Sequence, residues 1–119
     1  MPSIKTETRT YELLINGKLT APAGKKYSNS LNPSTGEVLA RVADADCDDI
    51  DRTVMAARQT FEGAKNSLRE RAQALLAIAN LIREHAKELA ELESQDVGKT
   101  LKQTTFIDVP TCADTFEYF

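Results

Sequence analysis

Residues 67–95 read SLRERAQALLAIANLIREHAKELAELESQ, and the reading of this stretch decides the fold. It opens on Ser67-Leu68-Arg69-Glu70, an S-x-x-E capping box in which two side chains satisfy backbone N–H groups at a helix start. From there Leu75, Ile78 or Ala79, Ile82, Ala86, Leu89 and Leu92 recur on a helical period. Arg83, Glu84, Lys87, Glu88 and Glu91 fall on the opposite, wet face as i,i+4 partners. At about 1.5 Å of rise per residue, one helix over about 67–95 is on the order of 40 Å long. It is the dominant element of the chain.

Downstream, Asp96-Val97-Gly98-Lys99-Thr100 closes this helix, with Gly98 the candidate left-handed residue. A short link through Phe106 leads to Asp108-Val109-Pro110. Asp108 reads as an N-cap, Pro110 is tolerated in a first turn, and 111–119 (TCADTFEYF) can continue as a last helix. The chain reaches Phe119 without a glycine, a polar cap or a basic last turn, so this end is expected to be cut rather than finished.

Upstream, Asp44, Asp46, Asp48 and Asp49 gather where another helix begins, which suits the positive end of its macrodipole. Ile50, Val54, Ala57 and Phe61 then form one apolar stripe, and Gly63 is the expected stop. The first 43 residues read as a small β region. Asn16-Gly17 between two β-prone runs is a strong hairpin signal, because a type I′ turn needs positive φ at both central residues. Tyr27–Leu31 is a further extended segment, and Asn32-Pro33-Ser34-Thr35-Gly36 is a turn. Glu37–Ala43 alternates, with Val38, Ala40 and Val42 on one face of a strand. Residues 1–10 carry no period and read as a flexible leader. The expected class is α+β: an amino-terminal hairpin and strand region, then two or three helices, one of them long.

The chain has 119 residues, 15 Lys+Arg against 18 Asp+Glu, and a net charge of −3. That length fits one modest domain with a core of its own. The mild acidity argues against nucleic acid, whose binders concentrate Lys and Arg on one face. Two cysteines do not make a secreted disulfide scaffold, and no apolar run is long enough for a membrane span. A soluble, cytoplasmic protein is expected.

Side chains that carry chemistry are sparse. Gly98-Lys99-Thr100 ends like a P-loop, but Glu93 stands where the loop needs its first glycine, and the five glycines are isolated, so no dinucleotide fingerprint occurs. His85, the only histidine, reads as a surface or boundary residue. Cys47 sits among carboxylates that disfavour its thiolate, and Cys112 reads as a small packing residue. The Asp44–Asp51 cluster lacks calcium-loop spacing and is better read as a solvated helix start. No catalytic or cofactor-binding residue emerges.

The order of the segments says more than any one of them. Leu14-Ile15-Asn16-Gly17-Lys18, Asn32-Pro33-Ser34-Thr35-Gly36-Glu37-Val38, Val54-x-Ala56-Ala57, Arg71-Ala72, Glu88-Leu89-Ala90, Asp96-x-Gly98-Lys99 and Asp114-x-Phe116-x-Tyr118 follow one another in a familiar spacing. Together, over residues 12 to 119, they resemble the amino-terminal region of NAD(P)-dependent aldehyde dehydrogenases. Two departures are a missing tryptophan after Phe61 and an Ala64-Lys65-Asn66 link that is a residue or two short.

The resemblance implies that residues 11–119 form the incomplete outer part of an α/β cofactor-binding domain. The parent enzyme would oxidise an aldehyde to a carboxylic acid with NAD or NADP. Its nucleophilic cysteine, general-base glutamate and oxyanion-hole asparagine would all lie downstream, leaving this chain inert alone and holding no cofactor. The resemblance also implies a monovalent-cation site at main-chain oxygens of Ser30, Leu31 and Asp96, oxygen ligands being suited to a hard cation. The alternative is that Asp96 bonds backbone near its helix end. Expected partners are the remainder of the enzyme chain and further copies, with self-association through Leu75, Ile78, Ile82 and Leu89. The rival reading is a free-standing helical interaction or oligomerisation module without enzymatic activity.

Overall fold

The structure, a computed structural model, describes residues 8–64 and 67–119. Most of the expected leader and part of the 64–66 link therefore lie outside the described residues. The element order is β1 (Arg9–Tyr11), β2 (Leu13–Ile15), β3 (Lys18–Thr20), β4 (Tyr27–Leu31), β5 (Val38–Ala43), α1 (Cys47–Gly63), α2 (Leu68–Glu84), α3 (Ala86–Val97), α4 (Leu101–Gln103), a π-helical segment (Thr104–Asp108) and α5 (Val109–Tyr118). The α+β class stands as expected. The chain divides into two compact units: the chain up to Leu31 with Gly36–Ala64, and Asn32–Thr35 with the chain beyond Ala64.

In the first unit, β5 is the middle strand of a three-stranded sheet, parallel to β1 and antiparallel to β4. Arg9 and Thr10 pair with Ala40 and Arg41, so the end of the expected leader is a strand. The register between β4 and β5 is irregular at Ser30/Leu31. Of the three residues expected on one face of β5, Ala40 is buried, whereas Val38 and Val42 are exposed. Tyr27 and Arg41, on neighbouring strands, are offset diagonally, which lays the guanidinium 5.1 Å from the ring centroid. β2 and β3 form the expected hairpin, with Leu14 opposite Leu19 and Ile15 opposite Lys18. Asn16 (φ 51°) and Gly17 (φ 72°) make its two-residue turn.

The apolar stripe of α1 is present but open. Ile50, Val54 and Phe61 are 55%, 54% and 84% exposed. Its first half and the hairpin wall an apolar groove of about 300 Å³ lined by Leu13, Leu14, Ile15, Ile50 and Val54, with Ala45 and Thr53. Gly63 is the last residue of the helix rather than a left-handed stop, and the chain leaves through Ala64 in extended geometry.

In the second unit the long helix over 67–95 is present from Leu68 to Val97, interrupted at His85, whose φ of −98° and ψ of 14° depart from helical values. The expected capping box is formed: Glu70 N–H donates to Ser67 Oγ at 3.2 Å and Ser67 N–H to Glu70 Oε2 at 2.6 Å. The Ser67 N–H, and the Ser67 hydroxyl donating to the same oxygen at 3.0 Å, hold the Glu70 carboxyl below the usual carboxylate range. α2 packs along α5, and α3 packs against the π segment and α5. Ala79, Ala90 and Ala113, one from each helix, are wholly buried. Small side chains at the crossings let the helices approach closely. Leu75 and Ile82 are half-buried, while Ile78 and Leu89 remain 39% and 37% exposed, so the expected association face is partly covered within the chain.

The last helix begins earlier than expected. Thr100, not Asp108, is the side-chain cap, its Oγ1 accepting from Gln103 N–H at 3.3 Å. Asp108 is itself helical and caps nothing. The link through Phe106 is a widened turn of helix. A proline ring collides with the carbonyl four residues back, which for Pro110 is that of Phe106, so the widened turn lies where a regular one would clash.

Candidate functional site

Two clusters of polar side chains are built with care, one in each unit. In the first, Asp49 is fully buried. Its carboxylate accepts the Ala23 N–H at 3.0 and 3.2 Å and the Asp46 N–H at 3.2 Å, and pairs with the Arg52 guanidinium. Asp46 returns the favour as N-cap, its Oδ1 accepting from Asp49 N–H at 3.1 Å. Burial pushes the Asp49 carboxyl up, but these donors overcome it and hold the group below the usual carboxylate range. The aspartate cluster is therefore solvated except at Asp49. The sequence signal was D-x-x-D at N-cap and N3, the capping-box positions.

In the second unit the corner after α3 is fixed by side chains. Gly98 is left-handed (φ 78°) as expected, and its N–H donates to Ser94 O at 3.0 Å. Ser94 Oγ donates to Lys99 O at 2.7 Å. Lys99 Nζ lies 2.9 Å from Asp108 Oδ2 and 3.4 Å from Glu93 Oε1. The bond to Asp108 raises the lysine above its ordinary value, against the opposing cost of burial, with Glu93 adding to the rise. The lysine of the P-loop-like tail is thus held by carboxylates, which leaves it ill placed to grip a phosphate. Thr104, wholly buried at the head of the π segment, shares its one hydroxyl proton between Ala90 O at 2.9 Å and Leu101 O at 3.1 Å.

Replacing Thr104 with valine keeps the branched shape and removes the donor. Thr104→Val is expected to lower stability by about 1 kcal/mol. The check is a chemical denaturation, in which the midpoint falls and the slope holds; an unmoved midpoint would show that the two bonds contribute no net stability.

The other residues singled out in the sequence belong to separate elements. Ser30 and Leu31 end β4, in the first unit, and Asp96 lies in the last turn of α3, in the second. His85 is the break between α2 and α3, 61% exposed, with Nδ1 3.6 Å from Glu88 Oε2. Cys47, at the first position of α1, is exposed. Cys112 is exposed too, and so is not the packing residue it was expected to be. Val109 and Ala113 take the buried stripe of α5, and Cys112 falls one position off it. Among the described residues no group of three His, Cys, Asp or Glu is placed to hold a metal ion. None of their helices is long and apolar enough to cross a membrane. What the geometry builds is two rigid corners and an open apolar groove.

Residues 20–119 match the model of the aldehyde dehydrogenase family. The chain belongs to that family. Aldehyde dehydrogenase family 2 member B4, mitochondrial, of Arabidopsis thaliana is 42% identical over 111 residues, which are 91% of this chain and 21% of that protein. Benzaldehyde dehydrogenase, mitochondrial, of Antirrhinum majus is 38% identical over the same shares. The chain spans about a fifth of the length of these curated relatives. The aldehyde dehydrogenase of Bacillus cereus in its NAD+ complex superposes with a TM-score of 0.90 and 35% identity, over 92% of this chain and 23% of that one. An NAD-dependent aldehyde dehydrogenase from Sinorhizobium meliloti gives 0.87 and 30%, over 98% and 25%. The hairpin, the strands and the helical corner are thus the amino-terminal architecture of an aldehyde dehydrogenase.

Proposed function

We propose that the protein acts as the amino-terminal part of an NAD-dependent enzyme that oxidises an aldehyde to its carboxylic acid. The observation that carries this is the family match over residues 20–119, joined to a superposition on an NAD+-bound relative over nearly the whole chain. In such an enzyme the remainder of the chain would hold NAD, which would supply the oxidising power, and would carry the groups that act on the aldehyde. The described residues contribute scaffold: the early strands, α1 with the Ala23 loop pinned to its start by Asp49, and the helical corner at Gly98. The exposed stripe of α1 is then an inner surface of the larger molecule, covered by the remainder of the enzyme chain or by further copies. A cytoplasmic location belongs to the same proposal, although the two plant relatives carry mitochondrial names.

The test has two arms, both read as aldehyde-dependent NADH formation. Residues 1–119 alone are expected to give none, and turnover there would overturn their role as scaffold. Grafted in place of the matching segment of the Arabidopsis relative, they are expected to sustain turnover. A chimera that folds, binds NAD and stays inactive would overturn the family activity.

A further inference from the structure

We propose that Asn16 is a site of spontaneous deamidation that opens the β2–β3 hairpin with time. Five asparagines occur, and their successors differ: Gly17, Ser30, Pro33, Ser67 and Leu81 follow Asn16, Asn29, Asn32, Asn66 and Asn80. Deamidation begins when the backbone nitrogen of the following residue attacks the asparagine Cγ. A new C–N bond closes a five-membered imide, and Nδ2 leaves as ammonia with the proton from the attacking amide. Water then opens the ring at either carbonyl, giving aspartate or isoaspartate. The sum is one water consumed and one ammonia released, with no oxidant or reductant.

Three observations select Asn16. Its successor alone has no Cβ to hinder the attacking nitrogen. Asn16 and Gly17 are exposed, and a Cβ built on Gly17 meets nothing within 4 Å, so water and the moving groups have room. The turn sits on a weak support, because β2 and β3 are three residues each and, among the described residues, pair only with one another. Isolated two-stranded hairpins are marginal. Ring closure demands rotation about the Asn16 Cα–C bond, which the paired turn resists, so the attack takes place in the briefly opened hairpin and its rate is the open fraction multiplied by the ease of attack.

The product matters to the fold. Isoaspartate puts one extra methylene into the main chain between residues 16 and 17. A two-residue turn with positive φ at both positions does not accommodate it, and the Ile15–Lys18 pair is lost first. Leu13, Leu14 and Ile15 also wall the apolar groove against α1, so the groove loosens with the hairpin.

The experiment ages the 119-residue chain at mildly alkaline pH and follows its peptides by mass spectrometry, with isoaspartate and aspartate resolved by chromatography. The Asn16 peptide is expected to gain one mass unit about tenfold faster than the Asn29 and Asn80 peptides. Gly17→Ala is expected to slow the conversion by a similar factor, even though its strain at positive φ opens the hairpin more often. Conversion led by Asn29 or Asn80, or an undiminished rate in Gly17→Ala, would overturn the proposal. Hydrogen exchange then separates charge from backbone. Aged chain carrying isoaspartate should lose protection at Ile15 and Lys18, whereas Asn16→Asp, which adds only the charge, should keep it. Equal protection in the two would overturn the loosening.

Discussion

Asp49→Ala is expected to lower the melting temperature of the first unit by on the order of 10 °C. The reason is what the carboxylate leaves behind. Ala23 and Asp46 would each keep an N–H in a part-buried place without its acceptor, and the Arg52 guanidinium would lose its partner. An orphaned donor costs more than the bond it made was worth. The loss should be local and visible: hydrogen exchange at the Ala23 and Asp46 amides should quicken, while the Gly98 amide in the second unit keeps its protection. Uniform quickening, or none, would show that Asp49 does not pin the Ala23 loop to the start of α1.

The same residue gives stability a pH dependence of defined sign. The Asp49 carboxyl in the folded chain titrates below its ordinary value. Its stabilising effect is therefore complete above the unfolded-state pKa, near about 4. It is lost as pH falls through the lower, folded-state value. Acid scans of the native chain should show the first unit melting progressively earlier below about pH 4. Asp49→Asn starts from a lower plateau, and its profile should be flatter across that window because the group no longer titrates. Parallel profiles would refute the assignment.

How much of this was legible beforehand follows the range of the physics involved. The Asn16-Gly17 turn, the Ser67/Glu70 box and the left-handed Gly98 were readable because each is decided within four residues. Asp49 was not singled out, because its decisive partner, Ala23, lies 26 residues away. The break at His85 and the π segment before Pro110 answer to packing and to one ring clash, which a periodic pattern averages over. Periodicity alone left Ile78 or Ala79 open on the buried stripe, since the two are adjacent. The structure gives that place to Ala79, wholly buried with Ala90 and Ala113, while Leu75, Ile78 and Ile82 are half-buried or exposed. The cation site expected at Ser30, Leu31 and Asp96 rests on main-chain oxygens. Every residue has one, so side-chain chemistry gives no mark of them, and only the resemblance pointed there.

Gly98→Ala should be the most damaging single methyl in the second unit, at about 3 kcal/mol. Two costs coincide there. The residue sits at φ 78°, where an L side chain is strained by roughly 1–2 kcal/mol. Its new Cβ would also stand 2.8 Å from Pro33 Cγ, and a proline ring cannot rotate aside as a long side chain can. Gly17 and Gly36 have nearly the same φ, 72° and 73°, with nothing within 4 Å of an added Cβ. Gly17→Ala and Gly36→Ala therefore report the strain alone, about 1 kcal/mol. The excess at Gly98 measures the contact that seats the Asn32–Thr35 turn on the end of α3. Pairing Gly98→Ala with Pro33→Ala removes Cγ and leaves a Cβ at 3.6 Å, an ordinary contact, so the double variant should recover the excess and keep the strain. Denaturant midpoints of the five chains check this. If Gly98→Ala proved no worse than Gly17→Ala, the turn would have freedom to shift, and the corner after α3 would owe its form to Ser94, Lys99 and Thr104 alone.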